Sequence, residues 1–505
     1  MSVNKINGLV PGMFPRFKNM VLGIHIRYYC LLLFFAKVYL EVVSFTLSPD
    51  ISNQLNSLYN LSHGRGIVIT AFRDNAVHFQ LYNGSASGLV LFLLPINLLI
   101  HNTIISTFIL DITGLLFFVV FLYKFMALLK IDTRLQKLIL FFFAVVQSPF
   151  VYQWSSDLLS MVLCLWGIYF IVKNLQTKKW GDLLPAFLFL GLSYLVRYAY
   201  LPLLFAPFLI NLCVHFKFDK TNAIKLSKIL ALTFITGIII FLLNYWMVGQ
   251  RVEELKTDGK IHFEHLAKID GFLFHIGHYE LRLDQLLGGG NRFLLIAQVL
   301  TFITFVYFGF KILVAKKLNE NKKVNPIIPM ITGVVTFLTL SFLILLSLMN
   351  PSPSYWPGWT YTVDTRYYSV SIIMAYFFIL IYLFYFRARW LFATLASVIL
   401  LLNILAFRSL ITGGKYGENL SEYLKTQSSF KNNNLLSDSV RKPVVVYEPA
   451  TVFSKELYTL TSLGYVYVID KPSFNADEAL HGQDKFIFLS LEPENNRVVL
   501  KKYQQ

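Results

Sequence analysis

The apolar residues of this chain neither alternate nor recur at helical spacing against a polar face. They run together. Between Tyr28 and Phe407 long apolar stretches are separated by short polar ones, the pattern of helices that cross a bilayer and turn back. The first stretch, Tyr28 to Leu47, follows Lys5, Arg16, Lys18 and Arg27. Basic residues stay on the cytoplasmic side, so the N-terminus is expected inside and Ser48 outside. The next basic cluster is Lys124, Lys130, Arg134 and Lys137, expected inside again, so an odd number of crossings must separate the two. Of the two apolar pieces between them, Gly88 to Ile100 has 13 residues and carries Pro95 and Asn97. That is short of the ~20 residues a crossing needs, and it reads as an interfacial helix on the outer face. Thr103 to Tyr123 then makes the second crossing.

Further crossings are expected at Leu138 to Val151, Leu158 to Val172, Leu183 to Val196, Leu201 to Phe216, Ile229 to Val248, Phe293 to Val314, Ile327 to Leu348, Tyr367 to Phe386 and Leu391 to Phe407. The total is about eleven, with lysine and arginine at the inner ends. Past Phe407 the pattern changes. Leu410 to Asp438 is polar, and "KPVVVYEP", "ELYTLTSLG", "YVYVID", "KFIFLSLEP" and "RVVLKKY" read as strand, helix, strand, strand, strand. The expected fold class is an all-α polytopic membrane protein with a small C-terminal α/β domain outside the membrane. Residues 1–408 form the transmembrane part, with outer loops 48–102 and 249–291; 409–438 are a linker and 439–505 the small domain.

Composition agrees. Of 505 residues, 56% are hydrophobic and 14% charged, too few charges for a soluble domain. The net charge of +17 follows from the inner lysines and arginines, so no nucleic-acid partner is expected. Cys30, Cys164 and Cys213 all lie in apolar runs, which implies neither a disulfide framework nor a thiolate metal site. The first apolar run is too long for a cleaved signal and has no small-residue cleavage site after it, so it reads as a signal anchor. The sequence shows no internal repeat.

Candidate chemistry gathers in the outer segments. In "LSPDISNQLNSLYNLSHGRG" (Leu47 to Gly66), Ser48 suits a helix N-cap, Pro49 the first helical position and Asp50 the first turn. Ile51, Leu55, Leu58 and Tyr59 share one face, and Asn53, Gln54, Asn56 and Ser57 face away. A helix lying along the outer membrane surface is expected, ended by the Gly-Arg-Gly. The helix macrodipole alone favours an acid at Asp50. A carboxylate at that boundary is also placed to act as a base on a lipid-borne substrate.

An acid just after the first crossing, an amphipathic helix ending in "NLSHGRG", a later acid in the same loop and an interfacial apolar helix resemble the GT-C superfamily of membrane glycosyltransferases. The relatives it resembles most are the dolichyl-phosphate-mannose-protein mannosyltransferase-like and aminoarabinose-transferase-like bacterial proteins. "SPFVYQWSSDLLSMVLCLWGIYF", "GLSYLVRYAYLPLL" and "DTRYYSVSI" resemble that superfamily's Pro-then-acid, turn-arginine and Arg-Tyr patterns. The resemblance spans Tyr28 to Phe407 and departs from the superfamily at "LYNGSASGLVLFLLP", where many members carry a paired acid or a Pro-Pro-Gly-Tyr-like stretch. It implies transfer of a sugar from a polyprenyl-phosphate donor to a lipid, glycan or protein acceptor on the extracytoplasmic face of a bacterial plasma membrane. It also implies Asp50 as the base and Asp74 as second choice. Asp157 would contact the site or serve as a helix-start acid beside Ser155 and Ser156. Arg197 and Arg366, with Tyr367, would hold the lipid phosphate, unless each arginine snorkels or pairs with an acid. His275 and His278 lie in a long outer loop with Gly288 to Gly290 as hinge. They read first as part of a substrate gate, and secondarily as ligands of a divalent metal, the one cofactor the sequence admits. Asn60, Asn83 and Asn419 head glycosylation sequons. The C-terminal domain is expected to be accessory or acceptor-recognising. The competing reading is a transporter or flippase of lipid-linked glycans, for which the intramembrane ionisable residues are Lys37, Glu41 and Asp111, the first two expected to pair at i, i+4.

Overall fold

Among the described residues the long apolar runs are mostly helical, and several helices carry glycine or proline without ending there. The computed structural model describes residues 24–47, 49–73, 76–81, 87–146, 150, 155–214, 220–248, 327–349, 369–385, 397, 419–432, 444–448, 455–463, 466–470, 487–494 and 497–502. Helix α1 (Ile26–Ser44) is followed by α2 (Pro49–Ser62), the hairpin β1 (Val68–Arg73) and β2 (Ala76–Leu81), and α3 (Gly88–Ile100). His101 closes α3 in the left-handed region, and the Asn102 side chain accepts from the N–H groups of Ile104 and Ile105 to start α4 (Thr103–Leu128). Asp132 caps α5 (Thr133–Val145) in the same way, accepting from Arg134 N–H at 2.8 Å. Then come α6 (Ser155–Thr177), α7 (Leu183–Val196), a 3-10 segment (Tyr198–Phe205), α8 (Ala206–Val214), α9 (Lys220–Val248), α10 (Ile327–Met349) and α11 (Ser369–Tyr385).

Among the described residues three helices are long and apolar enough to cross a membrane: Thr103–Leu128, Ser155–Thr177 and Lys220–Met247. Helix α6 is the centre of the bundle, buried on nearly every side. Gly167 admits α7 against it, since a Cβ there would fall 2.7 Å from Leu190 Cγ. Helix α9 is the opposite case. Ile235, Ile238, Ile239, Leu242 and Trp246 are exposed along it, a face that acyl chains solvate as well as leucine would. One large apolar core joins α1, α4, α5, α6, α7, α10 and α11. A second, smaller one gathers α2, α3 and the adjoining ends of α4, α6 and α7.

Two expected crossings have a different form. The piece expected at Leu138 to Val151 is α5, whose 13 residues end at Val145, a rise of about 20 Å against a hydrocarbon core of ~30 Å. The piece expected at Leu201 to Phe216 opens as a 3-10 turn and becomes α-helical only at Ala206. Pro202 and Pro207 each lack the N–H that an α-helix needs, and Arg197 before them is extended (φ −149°, ψ 118°). The pieces expected at Phe293 to Val314 and Leu391 to Phe407, and the loop 249–291, lie outside the described residues.

Toward the C-terminus, Asn419 caps α12 (Leu420–Lys431) by accepting from Glu422 N–H at 3.1 Å. Strand β3 (Val444–Glu448), α13 (Lys455–Leu463), β4 (Val466–Asp470), β5 (Ile487–Glu494) and β6 (Arg497–Lys502) follow in the order the sequence pattern predicts. The sheet order is β4-β3-β5-β6, with β3 parallel to both neighbours and β6 antiparallel to β5.

Candidate active site

The N-terminus of α6 carries Ser155, Ser156 and Asp157 in one turn, all buried. Helix α7 ends opposite it. Its N–H ladder runs to Arg197, which bonds Ser193 O at 2.9 Å; there the backbone straightens and the side chain turns back toward α6. Arg197 Nε lies 2.7 Å from Asp157 Oδ1, with side chains 8% and 0% exposed. Its Nη1 also donates to Ser156 Oγ at 3.3 Å. The two helices are stitched further by Ser193 Oγ donating to Ser160 O at 2.8 Å, while Ser160 Oγ donates within α6 to Ser156 O. Two residues far apart in sequence, Asp157 and Arg197, are thus brought together. Arg197 is therefore the partner of a buried acid.

A second polar group lies beside the first. Ser155 Oγ donates to Asp111 Oδ2 at 2.7 Å, and Glu41 of α1 is buried beside Asp111. Lys37 does not pair with Glu41 as the i, i+4 spacing predicts. Its ammonium donates to Val146 O and lies 4.4 Å over the Phe150 ring. These groups take their neighbours from distant parts of the chain, which sequence spacing cannot reveal.

Asp50 stands by its backbone in the first turn of α2; its side chain lies outside the described residues. Ile51, next to it, belongs to the smaller core together with Leu55, Leu58, Leu159, Leu163 and Val196. Leu159 is two residues from Asp157 and Val196 is next to Arg197. Gly88 adjoins the same corner, since a Cβ on it would meet Leu195 O at 2.6 Å. Asp74, between the paired strand ends Arg73 and Ala76, lies outside the described residues, as do His275, His278, Arg366 and Tyr367. Among the described residues no group of three or more His, Cys, Asp or Glu side chains is placed to hold a metal.

Helix α2 differs from the expected surface helix. Ile51, Leu55 and Leu58 are buried, but so are Gln54, Asn56, Ser57 and Asn60. The polar face is a second packing face. Asn56 Nδ2 donates to Thr70 Oγ1 (2.9 Å) and Thr461 O (3.1 Å), and Asn60 Nδ2 donates to Val68 O (2.9 Å). Asn60 is therefore a structural amide and no glycan acceptor. The Oδ1 of Asn419 serves as the cap of α12. The end of α2 does follow the expectation: the chain turns through Gly64 (φ +74°) and Gly66 (φ +87°), conformations that glycine adopts without strain. The hairpin after it had a legible signal, alternating residues on either side of an Asp-Asn pair.

At the opposite end of α6, Lys173 meets Asp182 at 2.7 Å. That ammonium, with the Thr177 hydroxyl, holds the Asp182 carboxyl below its ordinary range. Comparison with protein-family models and with curated proteins gives no match.

Proposed function

We propose that this chain is an integral membrane glycosyltransferase that transfers a sugar from a polyprenyl-phosphate donor to a lipid, glycan or protein acceptor on the extracytoplasmic face. The observation that carries the reading is the shared core. Ile51, beside Asp50, and Leu159 and Val196, beside Asp157 and Arg197, belong to one buried cluster. The backbone bearing the candidate base and the buried ion pair are thus at one end of the bundle.

In this reading the Asp50 carboxylate takes the proton of an acceptor hydroxyl. The freed oxygen attacks the anomeric carbon from the face opposite the lipid phosphate. The bond from that carbon to the phosphate oxygen breaks, and polyprenyl phosphate departs with inversion at the sugar. Base catalysis of this kind is worth ~10²–10⁴-fold. With Arg197 engaged by Asp157, the departing phosphate falls to Arg366, whose guanidinium suits two phosphate oxygens, beside Tyr367. Asp74 is the alternative base. His275 and His278 are assigned to substrate contact.

The test uses the full chain in lipid vesicles with a panel of polyprenyl-phosphate monosaccharides, following release of free polyprenyl phosphate. Release from at least one donor is expected, reduced ~10²-fold or more in Asp50→Asn. Unchanged release in that variant removes Asp50 as the base. The second reading, a flippase of lipid-linked glycans, draws on the Glu41–Asp111 pair inside the bundle, because intramembrane ionisable groups commonly mark transport paths. Movement of an intact fluorescent donor across the vesicle bilayer without release of lipid phosphate would favour it.

A further inference from the structure

The corner between α1 and α2 is held by residues nearly four hundred positions away. Helix α1 ends at Ser44, and Phe45 leaves it at φ −57°, ψ 125°, so Leu47 N–H lies beyond the helical ladder. It donates to the hydroxyl oxygen of Tyr423 at 3.2 Å. Thr46 Oγ1 is 3.4 Å from the same hydroxyl. The Tyr423 ring is fully buried and stands edge-on to Phe45, centroids 5.7 Å apart. Three residues past Leu47 comes Asp50.

Helix α13 adds a second set of contacts. It ends at Leu463, so its last carbonyls have no partner within the helix. Thr461 O accepts from Asn56 Nδ2 of α2, and Ser462 O accepts from Thr103 Oγ1 of α4 at 3.3 Å. Asn102, the cap of α4, donates to Gln427 Oε1 of α12 at 2.8 Å. The C-terminal helices complete the hydrogen bonding of three other elements and have their own end completed in return. Such reciprocal satisfaction of buried polar groups is costly to break.

We propose that α12 and α13 are part of the α2 site and that Tyr423 is a positioning residue for it. By holding Thr46 and Leu47, its hydroxyl sets where Pro49 starts α2 and hence the backbone position of Asp50. The positioning role rests on the proposed transferase reading; the docking of α12 and α13 does not. This goes beyond the accessory or acceptor-recognising role expected of residues 439–505, and α12 lies in the stretch expected as a linker.

The full chain in membranes, with Cys30, Cys164 and Cys213 replaced by alanine, tests both parts. Asn102→Cys with Gln427→Cys should be joined by a short bifunctional thiosulfonate, whereas Asn102→Cys with Lys425→Cys should not. Failure of the first pair to join overturns the docking. For the positioning role, Tyr423→Phe keeps the ring and removes the hydroxyl. Its kcat for release of polyprenyl phosphate should fall about 5- to 10-fold, the effect of one lost hydrogen bond, with KM little changed and the thermal midpoint still well above the assay temperature. A kcat equal to wild type overturns the positioning role, and so does a fall in midpoint that accounts for the whole loss. A fully active Asp50→Asn would instead overturn the transferase base and leave the cross-link intact.

Discussion

Asp157 and Arg197 meet with almost no exposed surface between them, so each charge is compensated by the other in place of water. Removing one leaves the other buried without this partner. Asp157→Leu or Arg197→Met alone should cost about 3–5 kcal/mol, while the double variant should cost far less than the sum. Thermal unfolding of the four proteins in detergent checks this, and additive losses would show that the pair is not coupled. Asn60 belongs at the same scale. Its amide answers Val68 O and accepts from Arg65 Nη1 at 3.3 Å, holding the chain as it turns from α2 into β1. A side chain so placed cannot reach an outside enzyme, whatever sequon it heads.

At the scale of elements, the close approach of α3 to the end of α7 decides where Arg197 emerges. Gly88 is the first residue of α3, and a methyl there would fall within 2.8 Å of Leu195 O, Leu195 C and Val196 N. Backbone atoms cannot move aside as a side-chain tip can. Gly88→Ala should cost about 1–3 kcal/mol from overpacking, read as a lowered thermal midpoint. It should also loosen the Asp157–Arg197 contact one residue beyond. An unchanged midpoint would show that α3 is free to shift. The 3-10 turn after Arg197 serves the same corner. Asn244 of α9 donates to Tyr198 Oη at 2.8 Å and accepts from Ser87 Oγ at 2.7 Å, tying the end of α9 to the starts of α3 and of that turn.

At the scale of the whole molecule, the contact of Tyr423 with Leu47 constrains the path through the membrane. In the proposed topology both lie on one side of it, as the even number of crossings expected between Ser48 and the C-terminal segment requires. The sheet after α13 would share that side, since β4 lies against β1. A reporter fused after Gln505 and an impermeant thiol label on His63→Cys should therefore report the same side, the extracytoplasmic one in the proposed orientation. Labels on opposite sides would break the assignment.

The sequence by itself determined many of the helices, because each is a local object, though not α12 in the stretch expected as a linker. Backbone hydrogen bonds close within four residues, and caps such as Asn102, Asp132 and Asn419 are adjacent to what they cap. It also marked α3 to the residue, the order of the C-terminal strands, and Asp157 as an acid at a helix start. What only the tertiary structure decided is partnership. Lys37 and Glu41 are four residues apart yet turn to different neighbours, and the polar face of α2 is covered by a hairpin and by α13. Arg197 and Asp157, forty residues apart, share one buried contact. Periodicity reports which face of a helix is apolar, but a polar face buried against distant polar partners has the same periodicity as one in water. The energy that separates the two cases comes from hydrogen bonds that close only when the chain returns to the same corner.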